Sequence, residues 1–190
     1  YKMRATRLTV LALSALAACV ESPAPKQPGH APSVESASTT SPALAAKVIT
    51  VLGTNDLHGY VEHLGAFAGY VDRLRTLRKA DGGVILVDAG DMFQGTLESN
   101  LGEGAAVITA YNALGYTAAA LGNHDFDYGP VGDREPGTGD DPQGALRARL
   151  TDARFPVLSA NLIDTETGRA PSWRNLQASV LVEVAGVKVG

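Results

Sequence analysis

The 190-residue chain has a single cysteine, Cys19, which excludes an internal disulfide framework and any zinc module built from several thiolates. It has no basic surplus: 16 Lys and Arg stand against 20 Asp and Glu, which argues against binding of a nucleic-acid polymer. Lys2, Arg4 and Arg7 sit at the extreme N-terminus with no acid before residue 19, so the remainder is more acidic than the total suggests. Aromatic residues make up only 6% of the chain. Modest charge with abundant Ala, Val and Leu nevertheless argues against a wholly disordered chain. The length suits one ordinary domain, or part of a larger one.

Long hydrophobic runs are also missing. Met3-Arg4-Ala5-Thr6-Arg7 is followed by an apolar run at residues 8–18, too short to span a bilayer but of the size of a secretory h-region. Leu16-Ala17-Ala18-Cys19 closes that run and resembles the lipobox of bacterial lipoproteins, which implies cleavage after residue 18 and lipidation of Cys19. An ordinary signal peptide with an incidental cysteine is the alternative. Residues 19–46, rich in Ser, Pro, Ala and Thr, then read as a flexible spacer, with His30 simply solvated. The expectation is an exported protein, lipid-anchored to a bacterial membrane and facing the periplasm or cell exterior.

From residue 47 to 190 the pattern becomes α/β. Val48-Ile49-Thr50-Val51-Leu52 predicts a buried strand. Leu64, Phe67, Ala68, Val71, Leu74 and Leu77 predict an amphipathic helix. Residues 84–87 predict a second strand, 105–114 a helix stopped by Gly115, and 117–121 a third strand. Residues 129–144 read as a loop with surface acids. Asp141 and Pro142 suit the N-cap and first position of a helix reaching about residue 153. Residues 155–160 suggest another strand, and Ala185-Gly186 joins a hairpin. Such alternation implies a mostly parallel sheet.

Three polar clusters follow the first three strands: Asn55-Asp56-Leu57-His58-Gly59, Asp88-Ala89-Gly90-Asp91 and Gly122-Asn123-His124-Asp125-Phe126-Asp127. In an open parallel sheet these loops gather at the carboxyl edge, the usual ligand-binding rim. Asp56, Asp91 and Asn123 are about 35 and about 32 residues apart, one βαβ unit each. Carboxylate, imidazole and amide oxygen together suit divalent metals, with Zn, Mn, Co, Fe and Mg all chemically possible. Asp56 and His58, with one residue between them, would point the same way from an extended segment. Two ions roughly 3.5–4 Å apart would turn a water into hydroxide and clamp phosphate oxygens for in-line attack. His124 and Asp127 are i, i+3 neighbours, so a helical turn would let Asp127 hold one imidazole nitrogen while the other faces substrate. Any one of these residues alone is better explained as a cap or turn residue; three clusters in order are not.

These motifs, together with Phe155-Pro156-Val157-Leu158-Ser159-Ala160-Asn161, resemble the calcineurin-like metallophosphoesterases. The narrower resemblance is to the secreted 5'-nucleotidase, UDP-sugar hydrolase and 2',3'-cyclic phosphodiesterase group. It implies a metal-dependent phosphoester hydrolase with two divalent ions, acting on extracytoplasmic nucleotides. Asp56 and His58 would bind the first ion, Asp91 would bridge, and Asn123 would bind the second and approach the phosphate. His124 with Asp127 would form the dyad that stabilises the transition state or protonates the leaving oxygen. The implied fold is a sandwich of two sheets flanked by helices. Of this the chain would hold the first half, a mostly parallel sheet, with the second sheet and the substrate-binding C-terminal domain missing. The group's further ligands are histidines in a Gly-His-x-His motif, whereas this chain has histidines at 30, 58, 63 and 124 alone, and His63 reads as a surface residue. The expectation is therefore a truncated piece, inactive alone, with apolar sheet surface uncovered. A non-catalytic surface lipoprotein of the same fold and a related thiosulfate-ester hydrolase are the alternatives.

Overall fold

A computed structural model describes residues 46–132, 137 and 140–190. The expected signal, Cys19, His30 and the linker up to residue 45 lie outside the described residues. Among those described, no helix is long and apolar enough to cross a membrane.

Five parallel strands form the main sheet in sequence order: β1 (Val48–Thr54), β2 (Gly82–Asp88), β3 (Ala118–Ala120), β4 (Val157–Leu158) and β5 (Leu176–Gln177). The β-branched runs make β1 and β2 the long members, and they pair along their whole length, from Val48 opposite Gly82 to Thr54 opposite Asp88. β3 is three alanines and has little strand propensity of its own. Its position between β2 and β4 decides it, with Thr117 N–H donating to Leu86 O at 2.7 Å and Leu121 N–H to Leu158 O at 3.1 Å. β5 has no counterpart in the sequence pattern; Ser159 N–H donates to Gln177 O at 2.9 Å, and pairing with β4 is what extends it.

Helices α1 (Leu64–Arg78), α3 (Ala105–Leu114) and α4 (Gly144–Asp152) contribute Leu64, Val71, Val107, Ile108, Tyr111, Leu146 and Leu150 to one core with Leu52, Leu86, Phe155 and Val157. Between the first two lies α2 (Leu97–Leu101), capped by Thr96, whose hydroxyl accepts from Ser99 N–H at 3.3 Å. At five residues it is too short to carry an apolar periodicity, and its leucines Leu97 and Leu101 are exposed. Leu77, expected on the buried face of α1, is 60% exposed. Steps of three residues fall about 60° short of a full turn each, so by Leu77 the row has rotated off the face that buries Val71. Nor does Asp141 cap α4. Its carboxylate accepts from Gln143 N–H at 2.9 Å and its carbonyl from Gly144 N–H at 3.0 Å, closing a turn over Pro142 before the helix begins.

The hairpin expected about Ala185-Gly186 is present and forms a second, two-stranded antiparallel sheet of β6 (Val182–Val184) and β7 (Val187–Val189) beside the main one. Ala185 and Gly186 turn it with φ of 53° and 79°, the left-handed pair that a two-residue hairpin requires. Gly83 has no side chain, and Val184 occupies the space a Cβ would take, so the hairpin lies against β2. It covers the sheet face opposite the helices only in part, for Val51 remains 54% exposed.

Where β1 and β2 end, a polar knot is buried. Asp88, 4% exposed, accepts at Oδ2 from Thr54 Oγ1 (2.6 Å) and Tyr111 OH (2.8 Å), and at Oδ1 from Gly90 N–H (2.8 Å). Tyr116 OH donates to Thr54 Oγ1 at 2.8 Å, and the two tyrosine rings stack at 3.9 Å. Burial raises the Asp88 carboxyl despite these bonds, and pushes Tyr116 up to about 12, so both phenols stay protonated donors at neutral pH. Tyr111→Phe keeps the ring and deletes one donor to a buried carboxylate. We expect a loss of about 1–3 kcal/mol in urea unfolding; an unchanged midpoint would show that the bond adds nothing.

Candidate metal centre

Because Thr54 and Asp88 are register partners, the chain leaves β1 and β2 at one level, and the two following loops run side by side. Their backbones are joined directly: Asp56 N–H donates to Gly90 O, His58 N–H to Asp91 O and Gly59 N–H to Met92 O, each at 3.0 Å. These bonds impose unusual conformations. Asp56, His58, Asp91 and Gln94 have φ of 51°, 47°, 56° and 49°, the left-handed region that residues with a Cβ seldom occupy. Such strain persists only where surrounding structure over-determines it, and it concentrates at functional sites. The third loop is fitted against the second through Gly122, where a Cβ would collide with the Asp91 carboxylate.

The side chains of His58, Asp91 and His124 are brought together, with one ligand atom from each within 4.8 Å of the others. The imidazoles meet edge to face, with centroids 5.1 Å apart. Each ring has Nδ1 tied to an acceptor. His58 Nδ1 lies 3.0 Å from Gln94 O, and His124 Nδ1 lies 2.7 Å from Asp127 Oδ2. A carbonyl can only accept, so Nδ1 of His58 carries the proton and Nε2 has the lone pair. A carbonyl or carboxylate behind the ring is the usual support of a metal-binding histidine. Two imidazoles and a carboxylate so arranged fit a divalent cation such as Zn, Mn, Fe or Co.

The remaining expected residues lie around this group. Asp56 is exposed, accepts from Asn55 Nδ2, and has Oδ1 3.9 Å from His58 Nε2. Contrary to the expectation from their spacing, the segment carrying Asp56 and His58 is not extended. It is a tight loop held by the bonds to Gly90 and Asp91. Asn123 is exposed at the start of the 3-10 turn His124–Phe126, with its carbonyl accepting from Phe126 N–H at 3.4 Å. That turn sets Asp127 against Nδ1 of His124, and hydrogen bonding to Asp127 raises the imidazole's affinity for a proton. His63 is exposed, stacked with Tyr60 at 6.1 Å, and is not among the grouped ligand residues. Cys19 lies outside the described residues.

Sequence reasoning assigned no part to Gln94, Asp88 or Asp125. The backbone carbonyl of Gln94 leaves no signal in residue type. Asp88 and Asp125 stand inside the polar clusters, but spacing does not tell a buried carboxylate from an exposed one. Burial pushes Asp125 up to about 6 although three backbone amides donate to it.

Residues 49–176 match the family described as Calcineurin-like phosphoesterase. Human 5'-nucleotidase is 37% identical over 135 residues, 64% of this chain and 21% of that protein. Among solved structures, the 5'-nucleotidase precursor from Thermus thermophilus aligns with a TM-score of 0.58 and 30% identity, covering 74% of this chain and 27% of its own. The NAD nucleotidase of Haemophilus influenzae aligns with a TM-score of 0.57 and 26% identity, covering 73% and 24%. The chain thus spans about a quarter of the length of the relatives it matches.

The His124–Asp127 pairing has a direct readout. The carboxylate favours the imidazolium, so Asp127→Asn should move the His124 titration midpoint to lower pH in chelator-treated protein, followed by NMR of the ring protons. A midpoint that stays in place would rule the pairing out.

Proposed function

The chain belongs to the calcineurin-like phosphoesterase family, and from that premise we propose that it carries the first half of the metal centre of an exported nucleotide phosphohydrolase, most nearly a 5'-nucleotidase or UDP-sugar hydrolase. The observation that carries this reading is the convergence of His58, Asp91 and His124 at the carboxyl edge of the sheet. The nucleotide class is supported by the names of the relatives, 5'-nucleotidase and NAD nucleotidase.

In this reading Asp56 and His58 would hold one divalent ion, Asp91 would bridge, and Asn123 would hold the second and approach the phosphate, while His124, beside these groups, would keep its Nε2 for the phosphoryl group. When bound, the metals supply Lewis acidity toward phosphoryl oxygens and lower the pKa of water. The chain's own groups do the rest. Gln94 O fixes the His58 tautomer and leaves Nε2 as the coordinating atom. Asp127 holds His124 by Nδ1 and favours its protonated form, so Nε2 can stabilise charge on the phosphoryl group or give a proton to the leaving oxygen. Residues 1–18 act as the export signal, Cys19 takes the lipid, residues 19–46 tether, and residues 47–190 form the first part of the catalytic domain.

The test is phosphate release by the intact protein from adenosine monophosphate, a UDP-sugar and a 2',3'-cyclic nucleotide, with and without Mn2+ after chelation. Asp91→Ala should lower kcat/KM at least about a hundred-fold, the scale of one lost preorganised contact. Undiminished turnover in that variant would overturn the reading.

A further inference from the structure

We infer that Asp125 is a positioning residue for the metal centre: its buried carboxylate locks the Asp91 loop against the Asn123–His124 turn and so sets the spacing of the groups that would hold metal. The inference rests on the metal-centre reading above and deepens it. Asp125 is 1% exposed, although His124 beside it is partly open to solvent. Its Oδ1 accepts from Met92 N–H at 2.9 Å and Phe93 N–H at 3.1 Å, and its Oδ2 accepts from Gly122 N–H at 2.8 Å. Those amides directly follow Asp91 on one loop and directly precede Asn123 on the other. A fourth bond crosses the same seam, His124 N–H to Asp91 Oδ1 at 2.9 Å.

The chemistry requires a carboxylate. It accepts at both oxygens and donates at neither, so one side chain serves amides from two loops at once. An asparagine has one oxygen, and its amide group would face an N–H on one loop or the other. An apolar residue would fill the volume and leave three backbone donors without an acceptor, two of them buried. Asp91 has φ of 56° and would relax without support, and Asp125 grips the two amides that follow it. A residue that served stability alone would alter melting; a positioning residue also alters how tightly the site holds metal.

The experiment is calorimetric titration of the intact protein with Mn2+, with melting of the chelated protein measured in parallel. Asp125→Asn should weaken Mn2+ binding ten-fold or more, within the range of about 10–100-fold for residues that orient metal ligands. Asp125→Glu, which keeps the charge but displaces the oxygens, should weaken it as well and serves if the first variant does not fold. Leu150→Ala, a truncation in the core on α4, should lower the melting temperature and leave Mn2+ affinity unchanged. Wild-type affinity in either folded Asp125 variant overturns the inference, as does equal weakening by Leu150→Ala. If the unaltered protein binds no Mn2+, the inference and the metal-centre reading fail together. If it binds Mn2+, loses it in Asp125→Asn and hydrolyses no nucleotide, the positioning role stands and the nucleotidase reading falls.

Discussion

The structure depends on the parallel pairing of β1 and β2, kept in register to the last residue, where Thr54 meets Asp88. A slip of one residue would turn every side chain of one strand to the wrong face. It would also separate the loops that carry Asp56, His58 and Asp91, because those residues follow the strand ends by only a few positions. The knot of Asp88, Thr54, Tyr111 and Tyr116 marks that register chemically. It contains a carboxylate whose burial is costly unless its donors are in place, and its side-chain donors come from β1 and α3, with Thr54 held in turn by Tyr116 ahead of β3. Helix packing and strand register therefore satisfy one condition jointly.

On that level edge the site is built by constraint. Four residues of the first two loops hold left-handed φ, each at a cost on the order of 1–3 kcal/mol. Backbone bonds between the loops and the bulk of the core beneath them sustain it. What the strain secures is direction. His58 is turned toward Asp91 and His124 with its Nδ1 on a carbonyl, while a carboxylate does the same for His124. The same device is used twice, once with a backbone acceptor and once with a side chain three residues away.

The sheet is asymmetric in consequence. Helices cover one face and supply the core; the hairpin of β6 and β7 covers part of the other. Short strands β3, β4 and β5 add little ladder of their own, and Asn175 compensates by donating to the carbonyls of Leu150, Ala153 and Phe155 from a residue in left-handed conformation. That anchor fastens the residue before β5 to the end of α4.

By itself, the sequence determined the elements whose cause is local. The β-branched runs make β1 and β2, apolar spacing makes α1, and α3 stops where Gly115 takes φ of 66°. The three polar clusters at strand ends were legible because residue type and interval alone place them on one edge. Only the tertiary structure decided the rest. β5 is a strand because β4 offers it a ladder, and α4 starts late because Asp141 closes a turn rather than capping a helix. His58 joins His124 rather than standing with Asp56 on an extended segment, because carbonyls from the neighbouring loop bend its backbone. Asp88 and Asp125 are buried because amides and hydroxyls more than twenty residues away converge on them. Periodicity and propensity record what a residue asks of its neighbours in the chain, whereas these features depend on partners that only folding brings near.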